Sequence, residues 1–310
     1  MQSARIASRD AIETQCTKNA VKMAKDIEVP LRTSFRRGTL AIFVLLAAVC
    51  VLASPAECEP SCLTFREARV DVYTCETRGI RPVLVFVSAG GRGRANAGWL
   101  AHEFSRMGIA FAVFDYTVTP GRAPIGSVDD VAAAIAWIHT NAARFHGDPE
   151  RLFVIGYSAG AHLAALVSTD EQYLQLQSCD LGILRGTILL DNDVFNPSEQ
   201  DSPGSLLDPW GASTADAEKA WNDIAPSAHV APGKGIPPML IISTGEFSGR
   251  KADDIGVFMN TLANAGVGAT LVVAAECTHE SILYELADPR STVLLQIASF
   301  ILSQSGAKQQ

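Results

Sequence analysis

The segment Gly156-Tyr157-Ser158-Ala159-Gly160 places one hydroxyl between two glycines. A β-rich run, Leu152 to Ile155, precedes it, and a helix-compatible run from Ala159 to Val167 follows. A serine on a sharp strand-to-helix turn stands above the edge of its sheet, exposed for attack on a carbonyl carbon. The turn is tight, which is why it needs the flanking glycines. A hydroxyl is a weak nucleophile until a base takes its proton. His279, in Cys277-Thr278-His279-Glu280, stands just after the last predicted strand and later in the chain than the serine, the order such a turn requires. Its imidazole can accept and return a proton near neutral pH. His102, His139, His146, His162 and His229 fall on helices or loops less suited to meeting Ser158. The bland alternative is a Gly-rich turn with an idle serine. The strand before it and the helix after it favour the chemical reading.

These residues need a scaffold, and the pattern supplies one. Ala68 to Tyr73 alternates like an edge strand, and Pro82 to Val87 is a continuous apolar run suited to a strand buried on both faces. Further strands are predicted at 110–114, 152–155, 186–190, 239–243 and 271–274. Helices are predicted at 99–107, 128–143, 159–167, 254–265 and 291–302, with Asp129 and Asp130 in a first turn and Gly266 as a left-handed stop. Alternating strands and helices imply an α/β fold with a mostly parallel central sheet and helices on both faces. In such sheets the ligand site lies beyond the carboxyl ends of the strands. Residues 192–236, rich in Pro, Ser, Asp and Ala, break the alternation and read as an irregular insertion over the site.

From Arg81 to Val167 the chain resembles the esterase/lipase branch of the α/β-hydrolases that includes the hormone-sensitive-lipase-like and kynurenine-formamidase-like families. Asp115-Tyr116-Thr117-Val118-Thr119-Pro120 is similar to the branch's Asp-Tyr-Arg-Leu-Ala-Pro. Residues Gly156 to Leu163 are similar to its Gly-x-Ser-Ala-Gly-Gly-x-Leu. The likeness continues more thinly to His279 and covers about residues 68–303. It implies an α/β-hydrolase domain at 64–305 and a serine hydrolase with Ser158 as nucleophile and His279 as base. The branch's His-Gly-Gly-Gly-Trp loop is matched by Ser88-Ala89-Gly90-Gly91-Arg92, so Gly90 and Gly91, with Ala159, are the implied oxyanion donors. Ser88 replaces a histidine that usually holds that loop in shape. The branch's acid falls three residues past Gly245, where this chain has Ser248. Glu246 is the first alternative. Asp253 reads as a helix N-cap, and Asp254, Asp191 and Asp193 also remain open. The chemistry requires no metal or cofactor.

Thr39 to Ala53 holds fifteen residues without a charge, after Arg36 and Arg37 and before Glu57 and Glu59. Residues 39–56 therefore read as a secretory signal or a membrane anchor, with a buried core helix as the third option and 1–38 as a poorly structured extension. Export would make the protein secreted or periplasmic and disulfides available. Of the seven cysteines, Cys58, Cys62 and Cys75 cluster, Cys179 and Cys277 form a further candidate pair, and small buried thiols are the alternative. Cys58-x-x-x-Cys62 without a nearby histidine is weak as a metal site. The net charge of −8 argues against a nucleic-acid partner.

Three functions fit. The first is cleavage of a small-molecule carboxylic ester through an acyl-enzyme. The second is arylformamidase-like amide hydrolysis on the same machinery. The third is a non-catalytic binding protein, kept open by Ser88 and Ser248. Trp99, Tyr116 and Trp210 are the aromatic candidates for shaping a pocket.

Overall fold

The computed structural model of the protein describes residues 60–65, 68–74, 79–118, 125–192, 194–196, 223–245 and 247–306. The predicted signal or anchor at 39–56, the cysteines Cys58 and Cys75, and Trp210 lie outside them. All the described residues belong to one unit, Ala56–Gln310.

Eight strands form one sheet in the order β1-β2-β4-β3-β5-β6-β7-β8. They are β1 (Pro60–Phe65), β2 (Ala68–Tyr73), β3 (Arg81–Val87), β4 (Ala110–Phe114), β5 (Gly147–Tyr157), β6 (Leu184–Leu190), β7 (Met239–Thr244) and β8 (Ala269–Ala274). From β4 across to β8 every pairing is parallel, while β2 pairs antiparallel with both β1 and β4. β2 is thus the one strand that opposes the rest. The sequence read it as an edge strand. It is interior, because β1 covers it in the register Pro60↔Tyr73 to Phe65↔Ala68. β1 escaped notice because Pro60-Ser61-Cys62-Leu63-Thr64-Phe65 carries little apolar alternation.

The sheet sorts alternate residues into two apolar layers. Val83, Val85 and Val87 of β3 face one layer, and Leu84 and Phe86 face the other. The first layer is closed by α2 (Ile125–Asn141), α3 (Ala159–Thr169), α4 (Glu171–Gln175) and α5 (Gly249–Asn264). The second is closed by α1 (Gly93–Arg106), α6 (Ile282–Glu285) and α7 (Thr292–Gln304). α5 buries one stripe, Ile255, Phe258 and Leu262 at spacings of three and four, whereas α3 is buried on nearly every face. Cys179 packs against the first layer and Cys277 against the second, and both thiols are free. Their pairing is excluded because the sheet stands between them.

Three helix starts differ from the sequence reading. α1 begins at Gly93, six residues before the predicted 99. α2 begins at Ile125, so Asp129 and Asp130 sit past its first turn, and Asp130 accepts a hydrogen bond from the Thr117 amide at 2.9 Å. α5 begins at Gly249 with Ser248 at its N-cap, so Asp253 lies inside the helix instead of capping it. The polar start Gly249-Arg250-Lys251 has no apolar periodicity by which to be seen. Asp254 instead accepts from the Phe195 amide at 2.9 Å, and its carbonyl accepts from Asn196 Nδ2 at 2.6 Å. Phe195 stacks on Phe258 with centroids 4.6 Å apart, and both rings are fully buried. These contacts fasten the chain beyond β6 to α5.

In chain order the sheet grows one way from β3 to β4 and the other way from β5 onward. The crevice between the carboxyl ends of β3 and β5 is therefore the switch point where doubly wound sheets bind ligands. Truncating Phe258 removes a fully buried ring from the contact that ties residues 194–196 down. Phe258→Ala is expected to lower the unfolding free energy by about 3–5 kcal/mol, as read by chemical denaturation.

Candidate active site

At the end of β5 the chain turns sharply at Ser158, with φ 55° and ψ −123°. A non-glycine residue at positive φ is strained and persists only where its surroundings over-determine it. Here they do. The Ser158 amide donates to Leu190 O at 2.9 Å, and its carbonyl accepts from the Ala161 amide at 2.9 Å. A Cβ on Gly156 would lie 2.3 Å from Gly160 O, and one on Gly160 would lie 2.1 Å from Val87 O. Both neighbours are backbone and cannot step aside. The two glycines are thus what lets α3 descend directly behind Ser158 and against the end of β3.

Across the crevice, Ser88 to Gly91 forms the turn after β3, with Gly90 and Gly91 at φ 73° and 75°. Tyr116 holds this turn. Its hydroxyl donates to Ser88 O at 2.6 Å, and its amide donates to Gly91 O at 3.1 Å. Burial pushes the hydroxyl up to about 12, against the opposing pull of the Gly91 and Gly90 amides. A Cβ on Gly91 would meet Tyr116 O at 2.4 Å. The backbone of Arg92 pairs with that of Asp115, whose carboxylate accepts from the Arg94 amide at 3.0 Å in the first turn of α1. The loop that lacks the branch's histidine at Ser88 is therefore fixed by Tyr116.

His279 follows β8. Its Nδ1 lies 2.6 Å from Asp191 Oδ2, its carbonyl accepts from the Tyr157 hydroxyl at 2.8 Å, and its ring stacks on Tyr157 with centroids 5.0 Å apart. Tyr157 is the residue before Ser158, so one side chain ties the imidazole to the elbow. The other described histidines are occupied elsewhere or stand apart. His102 meets Glu103, His229 meets Asp170, and His162 Nδ1 lies 3.0 Å from Val194 O.

The carboxylate on His279 belongs to Asp191, one of the alternatives left open by the sequence. Glu246, the first choice there, and Asp193 lie outside the described residues. Asp191 stands directly after β6 at φ 47°, in the left-handed region that aspartate tolerates better than most residues. Its amide donates to Ile242 O at 2.7 Å, and its Oδ1 accepts from the Thr244 amide at 2.9 Å. Both partners are on β7, so the turn after β6 folds over β7 toward the loop after β8. Lys251 Nζ adds a second bond to Oδ1 at 2.9 Å. Burial alone would raise the Asp191 carboxyl, but hydrogen bonds from Lys251, His279 and Thr244 outweigh it and hold it at about 2. Tyr157, Thr244 and Lys251 were not singled out from sequence. Only Tyr157 carried a signal, as the variable residue next to the serine.

The chain is similar to several known proteins. The family model BD-FAE matches residues 70–200. The chain is 25% identical over 240 residues to the isoprenylcysteine alpha-carbonyl methylesterase ICME of Arabidopsis thaliana, covering 71% of this chain and 55% of that protein. It is 26% identical over 201 residues to the carboxylesterase NlhH of Mycobacterium tuberculosis, covering 61% of each. The chain thus spans less than two thirds of the length of these relatives. Among solved structures, a thermostable esterase from Pseudomonas putida ECU1011 superposes with a TM-score of 0.60 at 19% identity, covering 86% of this chain and 88% of that one.

Asp191 also links pH to stability. Its folded carboxyl titrates at about 2, below the ordinary value of about 3.9. Its stabilising contribution is therefore complete above about pH 4 and is lost as pH falls toward 2. Asp191→Asn is expected to flatten that stretch of the acid-denaturation curve, read by circular dichroism. Fold and motifs together show an α/β-hydrolase fold, and the chain is similar over part of its length to esterases of that fold.

Proposed function

We propose that the protein is a serine hydrolase that cleaves a small-molecule carboxylic ester, with Ser158 as nucleophile, His279 as base and Asp191, in place of Glu246, as the acid. The single observation that carries this is the Asp191–His279 contact at 2.6 Å, with the imidazole stacked on the residue beside the strained serine. An ionised carboxylate can only accept, so it fixes the proton on Nδ1 and leaves Nε2 free to take the Ser158 proton. The deprotonated hydroxyl attacks the carbonyl carbon, and the carbonyl oxygen becomes an oxyanion. Ala159 opens α3, where the first amides have no intrahelical acceptor, and its N–H serves as one oxyanion donor. Gly90 and Gly91 supply the others, as the family resemblance implies, once their amides turn from the Tyr116 hydroxyl they face here toward the oxyanion. His279 returns the proton to the departing alcohol, leaving an acyl group on Ser158. Water, activated by the same imidazole, releases the acid and restores the serine.

The named methylesterase and carboxylesterase relatives support an ester over an amide substrate. We assign residues 39–53 the part of an export signal or membrane anchor, on the strength of the uncharged run after Arg36 and Arg37. N-terminal sequencing of protein recovered outside the cytoplasm, beginning after residue 53, would support a cleaved signal. Recovery only from membranes would support an anchor, and recovery only from the cytoplasm would remove both.

Hydrolysis of p-nitrophenyl acetate and butyrate, beside an N-formyl aromatic amide, tests the chemistry. Ester turnover that vanishes in Ser158→Ala is the expected result, and turnover that survives it would overturn the reading. Asp191→Asn is expected to lower kcat by on the order of 10³–10⁴-fold, as loss of an imidazole-orienting carboxylate does in a trypsin-type site. Glu246→Gln is expected to leave most of the activity in place.

A further inference from the structure

Asp191 is almost fully buried, with its side chain 5% exposed, while the His279 imidazole is 44% exposed. An ionised carboxylate in such surroundings needs compensation from fixed donors or charge. Its Oδ2 is taken by His279. Its Oδ1 receives the Thr244 amide and the Lys251 ammonium, each at 2.9 Å. Lys251 also donates to Thr244 O at 2.9 Å, so the ammonium is braced on the end of β7. Lys251 is the third residue of α5, at a helix end where the dipole disfavours a cation. Side-chain mobility and the helix field both oppose its staying there, and the Asp191 carboxylate is what holds it.

α5 begins just past Ser248, the position where the family resemblance places the acid. In this chain that region supplies a cation to the carboxylate at the end of β6. A carboxylate flanked by a cation on one side attracts a second cation less strongly on the other. Among the described residues, Asp191 also acts on Tyr157 of β5, together with Glu280, and on Cys277, together with Glu285 and Glu276.

We propose that Lys251 is a positioning residue for the Ser158–His279–Asp191 machinery. It holds the carboxylate from the side opposite the imidazole and offsets part of its charge. The pull of Asp191 on a proton at the imidazole is therefore weaker with the ammonium in place than without it. This rests on the serine-hydrolase reading above.

The test compares the full-length parent with Lys251→Gln and Lys251→Arg. The first readout is kcat/KM for p-nitrophenyl butyrate between about pH 5 and 9, the range that brackets histidine titration. The second is an NMR titration of the His279 ring over the same range, which needs no turnover. Removing the charge is expected to move the acidic limb of the profile upward by about 0.5–1 pH unit, the size of one nearby charge at a half-exposed site. The His279 titration should move with it, and Lys251→Arg should restore both. Should Lys251→Gln unfold, Lys251→Met removes the same charge on an apolar stem. A folded charge-removed variant with reduced kcat but an unmoved limb and an unmoved His279 titration would show a structural staple only and overturn the proposal. If the parent has no Ser158-dependent turnover, the hydrolase reading falls, and the NMR titration alone still decides whether Lys251 acts on the imidazole.

Discussion

A buried negative charge governs this end of the molecule. Asp191 lies out of water, and each of the groups that keep it ionised comes from a different part of the fold: the Thr244 amide from β7, Lys251 from α5 and His279 from the loop after β8. Desolvation would neutralise a lone carboxylate, so none of these contacts is optional ornament. The requirement fixes where β6 must end, how far α5 must reach back over the sheet, and where the loop after β8 must lie. The second constraint is steric. Gly160 lets the backbone of α3 approach that of β3 to a distance no side chain survives. Together these two constraints bring a strained serine and an oriented imidazole to one end of β5.

The loop after β3 shows how the same outcome is reached with different parts. The resemblance assigns a histidine to position 88 as the brace of this loop. Here Tyr116, from the turn after β4, takes the Ser88 carbonyl with its hydroxyl and the Gly91 carbonyl with its amide. A backbone-donor loop needs only a fixed shape, and several side chains can supply it. This is why a departure at Ser88 does not by itself argue against function.

Much of this was legible in the sequence where the physics is local. The elbow declared itself because glycine spacing and the strand-to-helix change occur within a dozen residues. β4 was read to the residue, since its run is buried on both faces and bounded by Gly108 and Asp115. His279 followed from its place after the last strand. What escaped depends on contacts between distant segments. Asp191 and His279 are 88 residues apart, and nothing near either distinguishes Asp191 from Asp193 or Asp254. β1 was missed because its strand character comes from pairing with β2 and not from its own pattern. The start of α5 was missed because its first turn is polar, and that turn is the one that carries Lys251.

The hydrogen bond from the Thr244 amide to Asp191 joins the end of β6 to the end of β7. Lys251, from the first turn of α5, is joined to the same carboxylate. A disturbance at any one of these three segments is therefore felt at the other two, because a single carboxylate is the knot between them.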